Sequence, residues 1–305
     1  MAKTVQRVIE TLFERFCSAR KEVKRLIKTH YDDGKQHVHV LSFGGGTQSI
    51  ALTLMALEGK INGVIPDYII FADTGNEPKA VMDQVNKVCE YVKAKYNREI
   101  IITSKGNIYD DILRATKTGE RVSSLPFHTL DRGKLLEAIG KRQCTNDYKI
   151  EVIKQKVRTL LGYKPRQHVK EVVHMWKGIS TDEIQRVKPI DDKWIEAEHP
   201  LVWDANIDRS ACVAYVEREL GFTPVKSACI ICPFHDNEHW LSIKKGNAEE
   251  FEAACKLDDA IRDGLKYESE LYLHRSRKPL REVNLNEDQL TFDDFINECE
   301  GFCGI

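Results

Sequence analysis

The chain has 305 residues, 42% apolar and 30% charged, enough to enclose a real core in one large domain or two modest ones. Its 46 basic and 47 acidic residues nearly cancel, so no global field draws it to nucleic acid and any such contact needs a local patch. No apolar run approaches the ~18 residues of a membrane span and no leader pattern opens the chain, which reads as cytoplasmic with no membrane partner. In a reducing compartment its nine cysteines point to metal binding, redox chemistry or buried thiols, not to a disulfide framework.

Residues 4–29 place Val8, Ile9, Leu12, Phe13 and Phe16 at helical spacing, with Arg20, Lys21, Lys24 and Arg25 on the charged side. This predicts an amphipathic helix in an N-terminal segment, residues 1–34. Strands are predicted at HVHVLSF (37–43), YIIFADT (68–74), EIIITS (99–104) and EVVHMWKGIS (171–180), and helices at 47–59 and 78–96. Strand and helix alternate, so residues 35–190 are expected to form an α/β domain: a mainly parallel, twisted sheet with helices on both faces. The polar, turn-rich stretch 116–134 reads as a long binding or lid loop. Residues 191–305 read as a smaller, helix-rich, cysteine-containing portion, with an amphipathic helix at 247–265.

The first strand runs directly into Gly44-Gly45-Gly46 and then into a helix. Ligands of open α/β sheets bind outside the carboxyl ends of the strands. Glycines there let backbone N–H groups turn towards an anion, with the positive end of the next helix behind them. Thr47 and Ser49 add hydroxyls; a tight turn without a ligand is the alternative. The loop is neither a Walker loop nor G-x-G-x-x-G. It resembles the S-G-G-x-D-S pyrophosphate loop of the adenine-nucleotide α-hydrolase (PP-loop) superfamily. Gly44 stands where that motif has its first Ser, and Gln48 where it has Asp. The resemblance implies a Rossmann-like fold and nucleotide contacts from Ser42, Gly44, Gly45, Gly46, Thr47, Gln48 and Ser49. The nucleotide would be ATP, or the sulfonucleotides PAPS or APS, with Mg²⁺.

FADTGNEP (71–78) ends the second strand and is similar to the superfamily's second nucleotide segment, which makes Asp73 and Thr74 candidates for Mg²⁺, ribose or adenine. WKGISTDEIQRVKP (176–189) gathers Ser180, Asp182, Glu183 and Arg186 after another strand. An Asp182–Arg186 ion pair one helical turn apart is the plain account. The segment also looks like the Gly-Ile-x-x-x-Glu-x-x-Arg stretch of sulfur-handling members, which implies that Ser180 and Arg186 face the nucleotide or an incoming anion.

KSACIICPFH (226–235) carries Cys229-x-x-Cys232, half of a tetrahedral metal site, which Cys144 and Cys212 would complete. An iron–sulfur cluster, zinc, a redox or persulfide pair, and inert packing all stay open. Cys144 sits in RQCTNDYK beside Arg142 and Lys149, and YLHRSRK packs His274 and Arg275 near further cations; both segments suit an oxyanion or a nucleic-acid backbone. Cys299 and Cys303 lie in the tail ECEGFCG, which looks like an elaborated Glu-Cys-Gly tail of sulfonucleotide reductases and implies a sulfur nucleophile and its resolving thiol. Together these motifs resemble a PAPS-reductase-like group of PP-loop proteins found in phages and mobile elements. That implies ATP-dependent adenylation and sulfur transfer to tRNA, DNA or a nucleoside, with a sulfur donor such as a cysteine desulfurase. A sulfonucleotide reductase, or a nucleotide-binding subunit without turnover, are the alternatives.

Overall fold

The structure, a computed structural model, describes residues 33–131, 136–188, 190 and 192–286. The predicted N-terminal helix at 4–29 and the tail thiols Cys299 and Cys303 lie outside these residues. The first part of the chain alternates β1 (His37–Phe43), α1 (Thr47–Leu57), β2 (Tyr68–Asp73), α2 (Lys79–Tyr96), β3 (Ile100–Ser104) and α3 (Ile108–Thr118). There follow β4 (His128–Asp131), β5 (Leu136–Ile139), α4 (Glu151–Leu160), β6 (Val172–Lys177) and β7 (Ile195–Glu198). Then come α5 (Pro200–Trp203), α6 (Arg209–Leu220), α7 (Asn237–Gly246), α8 (Ala248–Gly264) and β8 (Glu270–Tyr272).

Five strands form an all-parallel sheet in the order β3-β2-β1-β6-β7. Successive residues of a strand face opposite ways, so β1 sends Leu41 and Phe43 to one side and Val38 and Val40 to the other. Leu41 and Phe43 join a core with α1, α2 and α6. Val38 and Val40 join Ile153 and Val157 of α4. Helices thus cover both faces, as an α/β fold requires when both faces of the strands are apolar. Helix α1 buries ten of its 11 residues because it lies between the sheet and α6.

Asn107 caps α3 by accepting from Tyr109 N and Asp110 N, and Gly119, at φ 68°, ends it. Beyond α3 the expected loop is shorter than 116–134. Strand β4 begins at His128 and pairs antiparallel with β5 and β8. A second core gathers Ile108, Ile112, Leu125, Phe127 and Tyr148 with Ile231, Trp240, Phe251, Leu257 and Leu271. It draws on both sides of residue 190, while β7 and α6, which follow that residue, belong to the sheet layer and its core. Among the described residues no helix is long and apolar enough to cross a membrane.

Candidate functional site

From β1 the chain crosses to β2 on one side, whereas β6 and β7 continue on the other, so the order reverses between β1 and β6. A crevice for a ligand opens at the carboxyl ends of two such strands. The glycine loop follows β1 there, and Gly178-Ile179-Ser180 follows β6. All three loop carbonyls are turned into the protein. Gly44 O accepts from Ser227 Oγ (2.7 Å), Gly45 O from Gln84 Nε2 (2.7 Å) and Gly46 O from Ser49 Oγ (2.9 Å). A trans peptide holds its N–H opposite its C=O, so the N–H groups of Gly45, Gly46 and Thr47 face away from those donors.

Gly45 sits at φ +76°, and a Cβ there would meet Val85 Cγ2 at 2.9 Å and Phe71 Cε2 at 3.3 Å. Glycine is therefore required at 45 by the protein's own packing, whatever binds outside it. Two buried side-chain atoms of the next turn, Thr47 Oγ1 and Gln48 Oε1, have no hydrogen-bond partner among the described residues. Buried polar atoms are nearly always paired, so these two are exceptions at the carboxyl edge of the sheet.

Gln48 Nε2 donates to Glu183 Oε2 (3.1 Å) and Ser180 Oγ (3.4 Å), joining the loop after β1 to the turn after β6. Arg186 Nη1 binds Glu183 Oε1 at 2.6 Å, and both side chains are buried. The Asp182–Arg186 pair of the sequence reading is not what forms. Thr181–Arg186 is a 3-10 turn, in which residues three apart eclipse, so Arg186 lies over Glu183. Asp182 instead accepts from Arg209 N at 3.0 Å, at the start of α6.

The cysteine segment lies across the same edge. Besides Ser227 on Gly44, Ile230 N donates to Asn76 O (2.8 Å) and Ile231 N to Asn76 Oδ1 (3.3 Å). This seats Cys229 Sγ 3.1 Å from Thr74 Oγ1 and 3.7 Å from Glu77 Oε1. Glu77 Oε1 also accepts from Thr74 Oγ1 (3.1 Å) and pairs with Lys149 Nζ (3.3 Å), the two charged side chains being 0% and 3% exposed. Glu77 Oε2 is buried with no hydrogen-bond partner among the described residues. Asp73 makes the local turn bond to Gly75 N at 2.7 Å.

His235 bonds the Cys229 carbonyl through Nε2 (2.8 Å) and stacks on His239 with ring centroids 4.1 Å apart. Burial holds the pKa of His235 well below the usual imidazole value and pushes that of His239 down to about 4, with Lys226 adding to the second. His235 is therefore a neutral brace under the cysteine turn.

The remaining predicted residues are dispersed. Cys212 is enclosed in the first core, Cys144 packs partly buried against the second, and Cys232 is half-buried, its N donating to Cys229 O at 3.1 Å. A single zinc holds four thiolates about 3.8 Å apart at its Zn–S distance of about 2.3 Å. Among the described residues no three cysteine sulfurs lie within 4.8 Å of one another, so the set does not fit a zinc tetrahedron. His274 is fully buried, with Nε2 on Asn237 Oδ1 and Nδ1 on Ser276 Oγ, both at 2.8 Å. Burial and then Arg275 push its pKa down to about 4. Both of its ring nitrogens are thus engaged within the protein. Arg275 is half-buried on the same turn, which Arg277 ties to Thr129 O at 3.1 Å.

Arg142 lines a cavity of about 570 Å³ together with Lys105, Arg121 and Lys141. Asp147 is the one carboxylate among the lining residues. Lys105 directly follows β3, so this basic hollow opens at the same edge of the sheet.

Sequence reading missed Glu77, Gln84 and Ser227. Each is an ordinary polar residue in its own segment and acquires a role only from a partner far along the chain. No family model matches this chain, no curated protein is similar to it, and no solved structure matches it. The residues themselves must carry any functional conclusion.

Proposed function

We propose that the chain is an adenine-nucleotide-dependent sulfur-transfer enzyme of the PP-loop kind, acting on a nucleic acid or nucleoside. The observation that carries this reading is the position of Cys229, laid by its segment across the carboxyl edge of the sheet beside the glycine loop and in contact with Thr74 and Glu77. A thiol at a crevice that also offers outward N–H groups and unsatisfied buried oxygens suits a nucleotide-activated substitution by sulfur.

The phosphates of ATP lie along the N–H groups of Gly45, Gly46 and Thr47, with Thr47 Oγ1 and Gln48 Oε1 completing their bonding. Asp73, at the end of β2, is the carboxylate that would meet Mg²⁺. An acceptor carbonyl oxygen attacks the α-phosphorus and pyrophosphate leaves, its charge held by the loop. Glu77 Oε1 is the base within reach of the Cys229 thiol. The terminal sulfur of a persulfide on Cys229, loaded by a donor such as a cysteine desulfurase, attacks the activated carbon and AMP leaves with the C–O electrons. The Cys232 thiolate then attacks Cys229 Sγ, breaking the S–S bond to the acceptor, and an external dithiol reduces the resulting disulfide.

The hollow of Lys105, Arg121, Lys141 and Arg142 favours an acceptor with a phosphate backbone.

The test is an oxygen-free incubation with ATP, a persulfide donor and tRNA or DNA, followed by pyrophosphate assay and mass spectrometry of the digested nucleosides. Thiolated nucleoside and pyrophosphate are expected, with Cys229→Ser losing the first and keeping part of the second. Sulfite release from PAPS or APS without pyrophosphate would replace this reading by a sulfonucleotide reductase, and neither product would end it.

A further inference from the structure

His39 lies on the face of the sheet that carries Leu41 and Phe43, about 17 Å down β1 from the glycine loop. Strands covered on both faces ask for apolar side chains. β1 and β6 instead place His39 directly opposite His174, with His37 two residues earlier on the same face. The His39 and His174 rings stack with centroids 4.7 Å apart, and those of His37 and His174 at 5.1 Å. On the next strand Glu196 pairs in register with His174, and Glu198 with Trp176. One ligand atom from each of His39, His174 and Glu198 falls within 4.8 Å of the other two; His174 and Glu198 are buried and His39 is half-buried.

His174 Nδ1 lies 3.1 Å from Glu198 Oε1, His174 Nε2 lies 2.8 Å from His37 Nδ1, and His37 Nε2 lies 3.0 Å from Asp33 Oδ1. With a cation held between His174 Nδ1 and Glu198, His174 can donate Nε2–H to His37 and His37 can donate Nε2–H to Asp33, the outer hydrogen-bonded shell that fixes the ring of a metal-bound histidine.

We propose that His39, His174 and Glu198 bind a divalent ion of the zinc class, clipping β1, β6 and β7 together beneath the nucleotide crevice. Two imidazoles and a carboxylate are a common zinc ligand set. Glu196, whose Oε2 is 3.6 Å from His174 Nδ1, stands beside the fourth position. His39 Nδ1 now accepts from Trp176 Nε1 at 3.2 Å, so coordination by His39 disturbs that bond and makes the buried indole a reporter. The site is separate from the cysteines and independent of the reaction proposed above.

The experiment uses the full chain, stripped with a chelator and titrated with Co²⁺ and Zn²⁺. One equivalent of Co²⁺ should give visible d–d bands without a near-ultraviolet sulfur charge-transfer band, and should quench tryptophan fluorescence. The signal should persist in Cys229→Ser and weaken at least tenfold in both His39→Gln and Glu198→Gln, whose metal-free circular dichroism and melting verify that they fold. X-ray absorption at the zinc edge of the wild-type protein gives a readout that needs no variant and should show nitrogen and oxygen ligands with imidazole scattering. Absence of binding, binding unchanged in His39→Gln, or sulfur as the dominant ligand would overturn the proposal.

Discussion

Replacing Glu77 with Gln removes one charge from the most enclosed ion pair of the candidate site. Glu77 Oε1 stands 3.3 Å from Lys149 Nζ, and neither side chain is more than 3% exposed. At that distance and an effective dielectric constant of ~20, the attraction is about 5 kcal/mol. Removing one member of a buried pair costs about 3–5 kcal/mol, since the other charge remains in a poorly solvating interior. For a chain of this size the melting temperature should fall by roughly 6–20 °C. Denaturant titration followed by circular dichroism measures the loss directly. Lys149→Met alone should cost a similar amount, and the double variant Glu77→Gln/Lys149→Met should recover most of it because no charge is left buried. A loss below about 1 kcal/mol in Glu77→Gln, or a double variant as unstable as the sum of the singles, would refute this reasoning.

Gly45→Ala combines a φ of +76° with a contact of 2.9 Å to Val85 Cγ2, so it should cost about 2–5 kcal/mol; an unchanged denaturation midpoint would contradict that. His239 and His274 both have pKa values pushed down to about 4 by burial. Above pH 6.5 both are neutral folded or unfolded, but between 6.5 and 4 only the unfolded chain takes up their protons, so stability falls with pH. From pH 6 to 5 the pair should account for a loss of about 2 kcal/mol, roughly half of it absent in His239→Gln, as denaturant titrations at each pH will show. Arg121→Ala and Lys141→Ala should each weaken nucleic-acid binding and lower its salt slope by about 1, measured by fluorescence anisotropy across a salt series. An unchanged slope would place the backbone elsewhere.

The parallel sheet was legible in the sequence because its signals are local. HVHVLSF alternates about a buried strand, and the glycine run marks the point where that strand becomes a helix. The small sheet of β4, β5 and β8 was not legible, since strands of three or four residues such as HTLD show no period and depend on partners far along the chain. In the site, the glycine loop, Thr74, Lys149 and Cys229 were each visible as motifs. Glu77, which joins three of them, was not, because nothing in TGNEP distinguishes it from a solvated turn acid until the fold brings Lys149 to it. The plain account of Arg186, an ion pair with Asp182, did not form because it assumed a helical period where the chain makes a tighter turn. The histidines of β1 were read as strand residues; their meaning rests on the register that sets His39 against His174.

The central claim is that a nucleotide completes the bonding of the loop after β1, and Thr47→Val tests it most directly. Valine keeps the shape of threonine and removes Oγ1, a buried hydroxyl with no hydrogen-bond partner among the described residues. The measurement is the dissociation constant of ATP for wild type and Thr47→Val by titration calorimetry, alongside the melting temperature of each without nucleotide. The account predicts that wild type binds ATP, that the variant binds about tenfold more weakly, a difference of about 1.4 kcal/mol, and that the variant melts no lower than wild type. A wild-type protein that does not bind ATP, or a variant that binds it equally well, would contradict the account.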